Sequence, residues 1–331
     1  MKKYLLCPFG DYDLNNKVFE SPYGILRDLL LQKDISLDTY DLGNIETADA
    51  ILFFNHHEEL LRKCEASGVK KERLILFLFE PEVVIPKQYS KIILNRYGKI
   101  FTYRDDLIDN HLFFKLRYPQ GQQLLPTLTT FAERKFLTFM NANKYSYVDN
   151  EIYSFRRQAI RYFDNINFQF DIYGPGWNDN SIFNWRYLVT AIKAAKVGQY
   201  LKDAYDGLHH YQSYRGTVDD KYSTLAQYKF VLCFENEKNV EGWISEKIFD
   251  CLFTGAIPIY LGASNIEKYV PSECFIDMRQ FKSFSDLNDN LSKIDEPQFL
   301  KYQNAGQDFI RSSVFEQWQP KGVFEEIIKA L

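Results

Sequence analysis

The stretch YKFVLCFENEKNVEGWISEKIFDCLFTGAIPIYLG, residues 228–262, decides the fold. Phe230-Val231-Leu232-Cys233-Phe234 is an apolar run that stops at the polar pair Glu235-Asn236, and a polar loop follows it as far as Gly242. Residues 245–253 place Ile248, Phe249 and Leu252 on one helical face, and Gly255 stands where a helix ends in the left-handed region. Residues 257–261 then form a second apolar run. Strand, loop, helix and strand in so few residues form one parallel crossover. Strands that are apolar throughout, rather than alternating, belong to a sheet covered on both faces.

The same texture extends in both directions. Strands are expected at 3–7, 50–54, 74–79, 99–103, 135–140 and 168–173, with helices at 23–31, 58–67 and 151–163 between them. Asp149 or Asn150 is placed to cap the last of these helices. Turn formers gather between Arg117 and Glu133, so an N-terminal domain of residues 1–125, a linker of 126–134 and a C-terminal domain of 135–331 are expected. The tail from Val323 to Leu331 carries one apolar stripe and reads as a docking helix, open to packing back on the first domain. In 184–208, Lys193 and Lys196 interleave with Leu188, Ile192 and Ala195. A packed surface helix is the preferred reading, with contact to a membrane surface or an anionic acceptor as the alternative.

Composition excludes several classes. A net charge of −4 gives no global basic field for nucleic acid. The five cysteines form no C-x-x-C pair, which argues against a structural zinc, and Cys7, Cys233 and Cys251 sit inside apolar runs, as expected in a reducing compartment. No apolar stretch is long enough to span a bilayer, and the short run after Lys3 falls short of a signal peptide. A cytoplasmic protein is expected, with peripheral contact on the inner face of the membrane left open. Aromatic residues are 17% of the chain, and the core takes most of them.

Chemistry is expected beyond the carboxyl ends of the strands, beside helix N-termini. In 228–262 that rim holds Asn236, Gly242, Trp243, Ser245, Glu246 and Lys247. A helix start with a lysine suits a diphosphate, and an acid there suits ribose hydroxyls; a solvated first turn explains the same residues equally well. In the first half, Leu74-Ile75-Leu76-Phe77-Leu78-Phe79 runs into Glu80-Pro81-Glu82. A carboxylate at a strand end beside apolar residues is a candidate base, although two loop acids around a proline is the plainer reading.

Residues 228–262 resemble the donor-binding signature of the family-10 glycosyltransferases, the bacterial α-1,3/4-fucosyltransferases. The resemblance rests on Tyr228-Lys229-Phe230, Phe234-Glu235-Asn236, Gly242-Trp243, Ser245-Glu246-Lys247 and Pro258-Ile259-Tyr260 with Gly262. Trp243 stands where the family has tyrosine, and Leu261 where it has tryptophan. The resemblance implies a GT-B architecture of two Rossmann-like α/β domains facing across a cleft. It implies inverting transfer of fucose from GDP-fucose to a glycan hydroxyl, plausibly an N-acetyllactosamine-type unit of a surface polysaccharide.

Site residues follow from the same resemblance. Asn236 and Trp243 lie beside the donor, Glu246 holds its ribose, Lys247 meets the diphosphate, and Ser245 is a further donor-binding candidate. Arg215 is the candidate diphosphate arginine, and Asn141, Asn143 and Arg156 are further donor candidates. Glu80 is the implied catalytic base, with Glu82 in reserve, and Arg104, Asp105 and His56 are acceptor-side candidates. No cofactor or essential metal is expected, because Arg215, Lys247 and a helix end offset the leaving charge. Three alternatives stand beside this reading. One is another GDP-sugar as donor, and a second is a catalytically silent sugar-nucleotide-binding protein. The third is a metal-dependent transferase using Asp11-Tyr12-Asp13, disfavoured because that motif follows the first strand too closely.

Overall fold

The structure is a computed structural model that describes residues 1–9, 13–121, 124–166, 169–178, 181–183 and 185–331. Asp11 and Tyr12 of the acidic motif, Phe168 and Asn184 lie outside the described residues. The chain divides into two compact units. The first comprises Met1–Gly121, Glu241–Trp243 and Ser313–Leu331, and the second Gln122–Val240 and Ile244–Ser312.

Among the described residues the first unit holds six strands: β1 (Lys2–Cys7), β2 (Ile35–Thr39), β3 (Ala50–Phe54), β4 (Leu74–Leu78), β5 (Lys99–Thr102) and β6 (Phe113–Lys115). They run in the order β2-β1-β3-β4-β5-β6, every neighbouring pair parallel. Helices α1 (Tyr23–Leu31), α2 (Glu58–Ala66) and the short α3 (Lys91–Leu94) connect them. Successive strand residues point to opposite faces, and both faces are buried. Leu6, Leu52 and Phe77 pack with Leu26 and Leu30 of α1 on one side. Leu5, Ile51, Phe53 and Leu76 pack with Leu60 and Leu61 of α2 on the other. This double cover explains why β1, β3 and β4 carry no alternation.

The C-terminal helix Pro320–Ala330 belongs to this unit, and Val323, Phe324 and Ile327 join the α1 side of its core. The domain expected over 135–331 therefore ends earlier, at Ser312, because the apolar stripe of the tail finds its buried surface on the first sheet.

The second unit holds β7 (Lys135–Met140), β8 (Phe170–Tyr173), β9 (Tyr228–Phe234), β10 (Ile257–Leu261) and β11 (Ile276–Asp277). Their order is β11-β10-β9-β7-β8, again parallel throughout. Its helices are α4 (Tyr153–Asn165), α5 (Trp185–Lys193), α6 (Val197–Asp206), α7 (Lys221–Leu225), α8 (Glu246–Thr254), α9 (Phe284–Leu291) and α10 (Glu296–Arg311). The core gathers Phe139, Ile160, Phe163, Ile172, Phe230, Leu232 and Ile259.

Two local expectations shift. The stretch expected as a linker is built into this unit, because the Arg134 guanidinium donates to the carbonyls of Thr129, Tyr228 and Thr254 at 2.8–3.0 Å. Helix α4 starts at Tyr153 rather than Glu151, with neither Asp149 nor Asn150 as its cap. Glu151 instead forms an isolated bridge with Glu237, and its carboxylate accepts from the Ser154 amide at 3.0 Å and the Ser154 hydroxyl at 2.5 Å.

Candidate functional site

In the second sheet the chain runs from β7 outward to β8 and then returns to the other side of β7 as β9. That reversal opens a crevice beyond the carboxyl ends of β7 and β9, the place where open α/β sheets receive ligands. Asn141 follows β7 directly, and Glu235 and Asn236 follow β9.

Helix α8 opens toward the same rim. Ser245 is its N-cap, in extended backbone, with its hydroxyl accepting from the Lys247 amide at 3.4 Å. Gly255, at φ +68°, ends the helix in the left-handed conformation that a side chain would strain. The start of α8 is held by Glu235, which is completely buried. One carboxylate oxygen accepts from the Ser245 amide at 2.9 Å, the other from the Ser245 hydroxyl at 2.7 Å. The Lys247 ammonium lies 3.4 Å from Glu235, 3.0 Å from the Ser245 hydroxyl and 3.7 Å from Glu246.

The charges in this group stabilise one another. Burial disfavours the ammonium of Lys247, but Glu246 and Glu235 outweigh it and hold its pKa above the ordinary lysine value. Burial also works against the Glu246 carboxylate, while Lys247 beside it brings its pKa below the usual range. At neutral pH Lys247 is therefore a fixed cation in the first turn of α8, flanked by the Glu235 and Glu246 carboxylates.

Arg156 stands behind the strand end. Its fully buried guanidinium donates to the Phe234 and Glu235 carbonyls, both at 2.6 Å, and to the Asn236 side-chain oxygen at 3.1 Å. It orients Asn236 from inside the fold. Asn141 lines a cavity of about 30 Å³ together with Lys221, Lys247, Cys233 and Cys251. The Asn143 amide donates to the Gly176 carbonyl at 2.9 Å and to the Tyr145 hydroxyl at 3.2 Å, which fixes the loop after β7.

Arg215 is not part of this group. It runs beside β8, and its guanidinium pairs with Asp171 at 2.6 Å. Both line a cavity of about 410 Å³ with Lys135, Phe170 and Ser213, next to the residues that begin β7 and β8. The cation that instead joins Lys247 at the rim is Lys221, the first residue of α7, whose ammonium is 2.6 Å from Asp250. Lys221 and Glu235 were not singled out as site residues from the sequence. Glu235 carried a signal, an acid closing a buried strand inside the signature, whereas nothing local marks Lys221.

The first unit carries the other candidates. Glu80 follows β4, and its backbone is fixed on both sides. Its amide donates to the Asn55 side chain at 2.9 Å, and its carbonyl accepts from Gln88 at 2.9 Å and from the Tyr89 hydroxyl at 2.7 Å. With that proton committed, the Tyr89 hydroxyl oxygen accepts from the Tyr103 hydroxyl, 3.0 Å away. Trp243 packs in this unit, its ring 4.4 Å from that of Tyr103. Gly242 passes so close to β5 that a Cβ there would stand 2.2 Å from the Tyr103 carbonyl, and its φ of +81° adds to the demand for glycine.

The acceptor-side candidates are engaged within the unit. Arg104 chelates Asp106 at 2.6 and 3.0 Å and lies 3.8 Å from Glu82. Asp105 accepts from the half-buried Lys115 ammonium at 2.6 Å. The ring nitrogens of His56 lie 2.9 Å from the Tyr97 hydroxyl and 2.9 Å from Glu58. Arg96 and Arg62 hold the Glu58 carboxyl down to about 2. A carboxyl depressed on folding contributes stability that is complete above its unfolded value and lost as pH falls toward the folded one. Glu58→Gln should therefore lower the thermal midpoint at pH 6 and nearly match wild type near pH 2. Equal midpoint losses at both pH values would contradict the pairing.

Residues 154–321 match glycosyltransferase family 10 (fucosyltransferase), C-terminal part, a span that takes in β9, Asn236, the Glu235 contacts and the whole of α8, and that begins after β7 and Asn141. The chain belongs to glycosyltransferase family 10. Its relatives in this family include the α-(1,4)-fucosyltransferase of Arabidopsis thaliana, 32% identical over 105 residues, or 32% of this chain and 23% of that one. The α-(1,3)-fucosyltransferase FucT of Helicobacter pylori is 40% identical over 72 residues, 22% of this chain and 15% of that one. The chain thus spans less than a quarter of the length of either relative. A solved α1,3-fucosyltransferase with GDP superposes over 99% of this chain and 89% of its own, with a TM-score of 0.57 at 15% identity. Anabaena HepE with UDP-glucose aligns over 100% of both chains, TM-score 0.57 at 12% identity. The two parallel-sheet α/β units of this family-10 glycosyltransferase thus have the GT-B fold.

Proposed function

We propose that this chain transfers fucose from GDP-fucose, with inversion, to a hydroxyl of a GlcNAc- or galactose-containing glycan, without an essential divalent ion. The observation that supports the reading most directly is the start of α8, where Glu235 and Ser245 hold the Lys247 ammonium at the switch point of the second sheet. Membership of a fucosyltransferase family and the solved α1,3-fucosyltransferases with GDP and with GDP-fucose support the choice of donor.

In this reading the diphosphate meets the N-terminal end of α8 and the Lys247 charge, and Glu246 accepts from ribose hydroxyls. The carboxylate of Glu80 takes the proton of the acceptor hydroxyl as its oxygen bonds to the anomeric carbon. The bond from that carbon to the diphosphate breaks, and the negative charge gained by the departing GDP is offset by Lys247 and the helix end.

The test is incubation with GDP-fucose and N-acetyllactosamine in EDTA, with GDP-mannose and UDP-glucose in parallel. Fucosylated product, and thermal stabilisation greater by GDP-fucose than by the other donors, are expected. No transfer to any lactosamine, GlcNAc or galactose acceptor would remove the proposal, and stronger stabilisation by another GDP-sugar would reassign the donor.

A further inference from the structure

Helix α6 is folded with its polarity reversed. A helix on a globular surface buries its apolar stripe and exposes its charges. In α6, Asp203 and Asp206 face the protein, where Asp203 pairs with Arg157 of α4 at 2.7 Å and Asp206 with Arg161 at 2.5 Å. Val197, Leu201 and Tyr205 recur every fourth residue on the opposite stripe, and that stripe faces solvent. Leu201 is 62% exposed and Tyr205 74%. Its neighbour α5 adds Trp185 at 69% and Ile192 at 55%, one above the other at a spacing of seven. Of the sixteen large apolar side chains exposed among the described residues, seven lie within residues 183–208, so this is a patch rather than ordinary scatter.

The exposed charge on this element is of one sign. Asp203 and Asp206 are the only acids in residues 185–208, and both are buried against arginines. Arg186, Lys193 and Lys202 are exposed around the apolar stripe. This local positive surface belongs to a chain whose net charge is −4. Protein interfaces are depleted in lysine at their centres, whereas tryptophan, tyrosine and flanking lysines are the composition of helices that lie in the headgroup layer. Among the described residues no helix is long and apolar enough to cross a membrane, so contact by this element would be peripheral.

We infer that the α5–α6 hairpin is a membrane-docking element that lies flat on a bilayer containing anionic lipids. Trp185, Ile192, Leu201 and Tyr205 enter the acyl boundary, and Lys193 and Lys202 meet the headgroups with their stems along the apolar surface. The buried Arg157–Asp203 and Arg161–Asp206 pairs anchor the hairpin to α4, so that its apolar side is committed outward. The inference does not depend on the transferase reading, because docking is measured without turnover.

The test is co-sedimentation of the full chain with vesicles of phosphatidylcholine alone or with roughly one-third phosphatidylglycerol. Wild type should bind the anionic vesicles at least about tenfold more tightly, and less so as salt is raised. The Trp185→Ser/Leu201→Ser/Tyr205→Ser and Lys193→Glu/Lys202→Glu variants should each lose about tenfold or more with an unchanged thermal midpoint. Failure of wild type to sediment with anionic vesicles would overturn the proposal, as would variants that sediment like wild type. So would a wild-type dimer that the apolar triple variant converts to monomer, since the face would then belong to a second copy.

Discussion

Glu80→Gln should lower kcat for fucosyl transfer by about a thousandfold, roughly 4 kcal/mol of barrier, while leaving GDP affinity within a factor of two. The amide keeps the shape of the carboxylate but cannot take a proton at neutral pH. Bonds from the backbone of residue 80 to Asn55, Gln88 and Tyr89 do not involve the carboxylate and persist in the variant. A fall in activity with an unchanged thermal midpoint would thus report on chemistry alone. Glu82→Gln is the internal control: Glu82 lies 3.8 Å from Arg104 and its side chain is 43% exposed, so its loss should change kcat by less than about threefold. Transfer by Glu80→Gln within threefold of wild type would remove the residue from the mechanism. A thousandfold loss in Glu82→Gln instead would pass the role to that acid.

Lys247→Met carries the second large effect. Loss of a preorganised charge at the departing diphosphate should lower kcat/KM by a factor of 10²–10³, about 3–4 kcal/mol. The variant should also be destabilised by about 3 kcal/mol, because removing one partner leaves a buried carboxylate without its cation. Glu235 is completely enclosed, and its other partners are the amide and hydroxyl of Ser245. The Glu235→Gln/Lys247→Met double variant separates the two consequences. Its stability should recover toward wild type as the unpaired charge disappears, and its transfer rate should not. Recovery of both would make Lys247 a fold-holding residue only, and retention of activity in Lys247→Met would remove the diphosphate contact from the proposal.

The sequence made the strand-loop-helix-strand of 228–262 legible because three independent signals agreed there: an uninterrupted apolar strand, Ser245 before a helical stripe, and Gly255 after it. The edge strands Ile35–Thr39 and Phe113–Lys115 were not legible. Each is short and partly wet, so neither periodicity nor apolar content separates it from a loop. The start of α4 was misplaced because Glu151 is drawn into a bridge with Glu237, a contact set by tertiary structure and invisible to capping rules.

The candidate site divides in the same way. Asn236, Ser245, Glu246 and Lys247 lie close together in sequence, and Asn141 reaches the same crevice because β7 and β9 are neighbours. Arg156, a donor candidate from the resemblance, is buried, and it holds the strand end that carries Asn236. Arg215 precedes the signature in the chain, and in the fold its guanidinium pairs with Asp171, 44 residues away, beside β8. Lys221 escaped notice because only the packing of α7 on α8 brings it to the rim.

The return of Ser313–Leu331 to the first unit bears on how this enzyme can be recombined with its relatives. A second unit exchanged as everything after the expected linker would carry away a helix whose Val323, Phe324 and Ile327 fill the core of the first unit, forfeiting on the order of 5 kcal/mol of apolar burial. Hybrid transferases should keep residues 1–121 and 313–331 from one parent and take the interior from the other. The crossover points then fall where the polypeptide itself changes partners.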